Sequence, residues 1–152
     1  MYNIQERAGC EMACVVVRKA SLADLKWCER VDSHVEPAVL ARKIETGEVF
    51  CALSGNQRVG YLRLEYLWSK IPYIGLILVE EQMRGRGIGR AMLEHISSAL
   101  RQQGHTALYS SSQVDEPAPQ AWHRSVGFCE CGILNGINQG GIGEVFFRKD
   151  IV

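Results

Sequence analysis

Apolar and polar positions alternate along the chain with two periods, and the switches between them mark the elements. Cys14-Val15-Val16-Val17-Arg18 reads as a first strand. Ser21 is placed to cap a helix whose partly apolar stripe is Leu22, Leu25, Trp27, Cys28 and Val31. A second short helix runs from Pro37 to about Thr46, where Gly47 stops it. Val49 to Leu53 and Arg58 to Trp68 read as antiparallel strands around the turn Ser54-Gly55-Asn56-Gln57. On the second of these, Leu62, Leu64 and Tyr66 share one face, and Tyr61, Arg63 and Glu65 share the other, expected to be an outer, solvated face.

After a link at Trp68 to Pro72, Tyr73-Ile74-Gly75-Leu76-Ile77-Leu78-Val79 is almost free of polar residues, as a strand buried on both faces should be. Ile88, Met92, Leu93, Ile96, Ala99 and Leu100 then recur at helical spacing, predicting a helix to Gln103 that Gly104 ends. Thr106 to Ser112 reads as a strand, Gln120 to Phe128 as a short helix, and Cys129 to Leu134 and Glu144 to Lys149 as the last two strands. The loop Asn135 to Gly143 between them is too rich in glycine to predict a helix.

This order predicts a single α/β (α+β) domain with a mixed, mostly antiparallel sheet of about seven strands flanked by four helices. An N-terminal extension, 1–13, is expected to be flexible, ahead of a domain spanning 14–152. The 17 basic residues equal the 17 acidic ones, so no net field draws the chain to nucleic acid or an anionic membrane. No apolar run approaches the roughly eighteen residues of a membrane span, and Glu6, Arg7 and Glu11 do not suit a signal peptide. A cytoplasmic location is expected. The six cysteines show no metal-ligand spacing, and small buried or half-buried thiols are expected in place of a metal site.

The candidate chemistry lies in Glu80-Glu81-Gln82-Met83-Arg84-Gly85-Arg86-Gly87-Ile88-Gly89-Arg90, between the apolar strand and the amphipathic helix. A glycine turn into a helix exposes the N–H groups of the first turn to an anion, and three arginines add formal charge. A P-loop would need Lys followed by Ser or Thr, where Arg90-Ala91 stands. A dinucleotide fingerprint would need a third glycine at Arg90 and an acidic residue near Gln103 to Ala107. Neither is present. What fits is Arg-x-x-Gly-x-Gly at Arg84, Gly87 and Gly89, with Val79 five residues earlier and Gly127-Phe128 downstream.

In these residues the chain resembles the GNAT N-acetyltransferase superfamily, from about Arg18 to the C-terminus and most strongly from Leu76 to Phe128. The resemblance implies a single domain of the predicted fold, with acetyl-CoA as cosubstrate and no metal. It implies cofactor contacts from Leu78, Val79, Arg84, Gly85, Arg86, Gly87, Ile88, Gly89 and Arg90. It also implies a pantetheine arm lying between the central strand and the next parallel one. Family members often carry a tyrosine four residues before the Gly-Phe pair, to protonate the departing thiolate; His123 holds that position here. His123 is the catalytic candidate, against a purely structural role.

The implied reaction is direct acetyl transfer to a primary amine, expected to belong to a small molecule. A protein or peptide acceptor and a non-catalytic acyl-CoA sensor are the alternatives. A homodimer would suit the family. The histone-type branch has a glutamate where Tyr73 stands, so the base is left open among Glu65, Glu80 and Glu144 acting through water. His34, Glu36, Asn135 and Asn138 are candidates for substrate contact or ordinary loop residues.

Overall fold

The computed structural model describes residues 14–152. The expected flexible extension and Cys10 lie outside the described residues. Seven strands form one sheet: β1 (Val15–Lys19), β2 (Val49–Ser54), β3 (Gln57–Leu67), β4 (Ile71–Val79), β5 (Ala107–Gln113), β6 (Cys129–Leu134) and β7 (Glu144–Asp150). Their spatial order is β1-β2-β3-β4-β5-β7-β6. All neighbours are antiparallel except β4 and β5, which run parallel. Four α-helices flank the sheet: α1 (Leu25–Val31), α2 (Pro37–Glu45), α3 (Ile88–Gln102) and α4 (Pro117–Ser125). The fold class expected from the sequence is the one observed.

On one face α3 lays Ile88, Met92, Leu93, Ile96 and Leu100 against Phe50, Ala52, Leu62 and Leu64. Apart from Ala52, each of these side chains contributes roughly 1.5–3 kcal/mol on burial. On the other face α1 and α2 bring Cys28, Leu40 and Ile44 onto Val49, Cys51 and Tyr61. β3 is therefore covered on both sides, which corrects the expectation of a solvated outer face. Tyr61 is wholly buried and Arg63 is 7% exposed.

Polar groups survive there because they are paired. Asp32, at the end of α1, accepts from Tyr61 Oη and Arg63 Nε, each at 2.7 Å. Burial, reinforced by that carboxylate, pushes the Tyr61 phenol up. Glu65 bonds to Arg63 and to Lys43 Nζ of α2 at 2.7 Å. That carboxylate is committed to ion pairs and does not line the site described below.

Other local differences have simple causes. β4 begins at Ile71 because the β3–β4 hairpin is tight, with Trp68 and Ser69 both in the left-handed region. Arg63 pairs with Leu76 but Leu64 with Ile74, so Gly75 is the extra residue of a bulge. α4 starts at Pro117, where a missing N–H costs nothing. Ser21 leads into a short 3₁₀ turn, Leu22–Asp24, before α1. The glycine-rich loop also contains one 3₁₀ turn, Gln139–Gly141, with Gly140 left-handed inside it. Cys28 and Cys51 are buried as expected, whereas Cys14 is exposed just ahead of β1 and Cys129 and Cys131 are exposed on the edge strand β6. No helix among the described residues is long and apolar enough to cross a membrane.

Candidate active site

β4 and β5 share a single registered pair, Tyr73 with Tyr109. Beyond it the strands diverge, and a groove of about 1000 Å³ opens along the backbone of β4 from Ile74 to Val79. Two sets of residues close it. Arg84, Gly87 and Trp122 stand at the glycine-loop end, and Tyr73, Ser111 and Glu144 stand towards the opposite face of the sheet. Ile77 packs with the α3 core while Leu76 and Leu78 pack with the α1–α2 core, so β4 separates two differently shaped walls.

At the glycine-loop end, Gly87 caps α3 with φ +79°, and a Cβ placed there or at Gly85 would meet nothing within 4 Å. The first helical bond runs from Ala91 N–H to Gly87 C=O at 2.9 Å. The N–H groups of Ile88, Gly89 and Arg90 precede it and have no intrahelical acceptor. Free donors, an open cradle and the positive end of a fifteen-residue helix together fit a diphosphate. Arg84 Nε donates to Val79 C=O at 3.1 Å, which ties the loop to the end of β4. Arg90 Nη2 donates to Ser125 C=O at 3.2 Å, tying α3 to α4. Of the nine expected cofactor positions, all but Arg86 line the groove; Arg86 is exposed beside it.

His123 also lines the groove but is 3% exposed. Its Nδ1 lies 2.8 Å from Pro119 C=O, which can only accept, so Nδ1 carries the proton. Nε2 then accepts from Ser110 Oγ at 2.7 Å. The ring stacks on Phe147 with centroids 4.6 Å apart. Burial, partly opposed by the Pro119 carbonyl, holds the imidazole pKa below its ordinary value. Trp122 packs against the core and also lines the groove.

A second polar cluster brings together residues that the sequence left scattered. Tyr73 Oη lies 2.5 Å from Ser111 Oγ, which donates to Glu144 Oε1 at 2.5 Å. Asn138 Nδ2 holds Glu144 Oε2 at 2.7 Å. Because Ser111 gives its proton to the carboxylate, its oxygen accepts from the Tyr73 hydroxyl. Ser110 and Ser111 point to opposite faces of β5, so one strand serves both clusters. The Ser110-Ser111-Ser112 run at the carboxyl end of a strand was the signal in the sequence. His34 and Asn138 line the groove, whereas Glu36 and Asn135 do not. Glu80 meets Arg30 at 3.5 Å and is likewise absent from the lining.

Comparison with known proteins agrees with this geometry. Residues 19–128 match the model of the Acetyltransferase (GNAT) family. The chain is 30% identical over 132 residues to an aminoglycoside N(6')-acetyltransferase type 1 of Stenotrophomonas maltophilia, covering 75% of this chain and 86% of that protein. It is 32% identical over 87 residues to a streptothricin acetyltransferase of Streptomyces lavendulae, covering 56% of this chain; the match spans 46%, about half, of that relative's length. A Bacillus anthracis protein solved in complex with acetyl coenzyme A shares the fold with a TM-score of 0.62 at 19% identity, over 67% of this chain and 61% of its own. With its seven-stranded mixed sheet, its glycine loop on α3 and a family match across most of its length, the chain belongs to the acetyltransferase (GNAT) family.

Proposed function

We propose that this chain moves the acetyl group of acetyl-CoA to a primary amine of a small molecule, by direct attack in a ternary complex. The observation that carries the reading is the groove between β4 and β5, which joins an anion-binding helix end to a polar cluster across the sheet. The loop from Arg84 to Arg90 would hold the diphosphate, and the edge of β4 at Leu78 and Val79 from which β5 has diverged would align the pantetheine arm. The aminoglycoside relative supports a small, amine-bearing acceptor.

Three tasks fall to this chain's residues. Holding donor and acceptor together supplies much of the acceleration. Backbone N–H groups on the open edge of β4 can stabilise the oxygen of the thioester as it gains charge. His123 would serve the departing sulfur through Ser110. As the imidazolium, which burial makes a stronger acid, it would donate from Nε2 to Ser110 Oγ and free that hydroxyl's own proton for the thiolate, returning to the neutral tautomer with its proton on Nδ1.

The test is a panel of small amines, aminoglycosides included, beside peptides with free N-termini and lysines, scored for amine-dependent thiol release from acetyl-CoA. Release with small amines and not with peptides supports the proposal. Release with peptides alone turns it to a protein acceptor, and tight acetyl-CoA binding with no release turns it to a sensor.

A further inference from the structure

Acetyl transfer needs a neutral amine, yet a primary alkylamine is almost wholly ammonium at neutral pH. Something on the acceptor side must take a proton. Glu65, the carboxylate of β3, is held by Arg63 and Lys43. Glu80 lies outside the groove and pairs with Arg30. Glu144 lines the groove and is half-buried, but Ser111 and Asn138 occupy both its oxygens. Each oxygen thus accepts one hydrogen bond, and a built path from the groove to the carboxylate runs from Tyr73 through Ser111.

We propose that Tyr73, Ser111 and Glu144 form a proton relay, with Tyr73 Oη touching the acceptor amine and Glu144 as its terminal base. The inference rests on the acetyl-transfer reading above and adds the residues that activate the acceptor. The direction of the chain is set by the hydrogen bonds. Tyr73 donates to Ser111 and Ser111 donates to Glu144, which leaves a lone pair of Tyr73 Oη for an ammonium N–H.

As the amine gives up its proton, an N–H bond breaks and an O–H bond forms at Tyr73. The phenol's own proton passes to Ser111, and the serine's proton passes to Glu144. The phenol and hydroxyl end as they began, Glu144 ends neutral, and the half-buried carboxyl can return the proton to water. The freed nitrogen pair forms the C–N bond, and the C–S pair leaves with sulfur; the second nitrogen proton, acidic once that bond has formed, is lost to water and balances the proton that the thiolate takes through Ser110.

Tyr73 suits a relay better than a free phenolate. Burial pushes its phenol up, so it stays protonated and keeps its bond to Ser111. Its ring packs against Phe146 with centroids 6.0 Å apart, which fixes the hydroxyl. The charged groups facing it are Arg63 and Glu65 from β3 and Glu144 from β7. Tyr73 is the catalytic residue of the set. Ser111, Glu144 and Asn138 are positioning residues acting through it.

The experiment compares Tyr73→Phe, Ser111→Ala and Glu144→Gln with wild type, using the best amine of the panel. Acetyl-CoA binding is measured by calorimetry, and kcat/KM is followed from pH 7 upward. Each variant should bind acetyl-CoA as wild type does, which shows that it is folded and that the donor site is intact. Each should lose about 100-fold or more in kcat/KM at pH 7. Without the relay the variants depend on amine already neutral in solution, so the deficit should shrink to under about 10-fold by about pH 9.5. The Tyr73→Phe, Glu144→Gln pair should be no worse than either single change. Wild type that binds acetyl-CoA but acetylates no amine overturns the transfer reading, and the relay with it. Active wild type with Tyr73→Phe within about two-fold at every pH, or with multiplicative losses in the pair, overturns the relay alone.

Discussion

Replacing Gly87 by Ala separates backbone geometry at the donor end from every other property of the loop. Gly87 sits at φ +79° as the cap of α3, and the space around a Cβ there is open to 4 Å, so the change causes no clash within the protein. What it adds is the left-handed penalty of an L-residue, roughly 1–2 kcal/mol. For a chain of this size that corresponds to a fall in Tm of roughly 2–8 °C. Relief of the strain would turn the N–H groups of Ile88 to Arg90 off their common focus, and the new methyl would intrude on the space assigned to the diphosphate. Calorimetry should then show acetyl-CoA binding weakened by at least about 5- to 30-fold, the equivalent of the same 1–2 kcal/mol. Gly55→Ala is the control. It has φ +59° and equally open space, but lies in the β2–β3 turn away from the groove. It should lose similar stability and keep wild-type affinity. Equal affinities for wild type and Gly87→Ala would refute the assignment of this loop to the donor.

Three further outcomes follow from the buried polar groups. His123→Phe should lower kcat about 100-fold while leaving acetyl-CoA affinity near wild type, whereas unchanged kcat and pH dependence would remove His123 from the mechanism. The folded pKa of His123 is depressed by burial, so between it and the unfolded value near 6.5 the unfolded chain binds the extra proton. Its stabilising contribution is therefore present above about pH 6.5 and is lost as pH falls through the folded pKa; urea midpoints should drop in that window for wild type and stay flatter for His123→Phe. Asp32→Ala leaves the buried Arg63 Nε and Tyr61 hydroxyl without their acceptor, with Glu65 alone still pairing the guanidinium, and should cost about 3–5 kcal/mol in urea unfolding, while a loss under about 1 kcal/mol would mean that the ion pair is not felt.

Features written in one stretch of chain were legible in the sequence. The apolar strand, the glycine turn and the helical stripe of Ile88 to Leu100 each follow from local periodicity, and together they point to the loop proposed for the donor. Features that depend on distant partners were not. Tyr61 and Arg63 alternate with apolar residues as a solvated face would, and only Asp32, thirty-one residues from Arg63, makes their burial tolerable. Glu65 looked available until Lys43 of α2 reached it. The Tyr73–Ser111–Glu144 cluster joins residues thirty-eight and thirty-three apart, which meet because β5 lies between β4 and β7. His123 was found through its place before Gly127-Phe128, but its tautomer depends on Pro119 and Ser110.

The most direct test of the account is a crystal structure of the protein with acetyl-CoA bound. It predicts the diphosphate within hydrogen-bond distance of the N–H groups from Gly85 to Arg90, the pantetheine arm along Leu78 and Val79, and the thioester carbon at the β4–β5 gap facing Tyr73. A cofactor found instead in the smaller pocket bounded by Arg90, Glu94, Arg101, Lys149 and Asp150, with the gap left open, would contradict it.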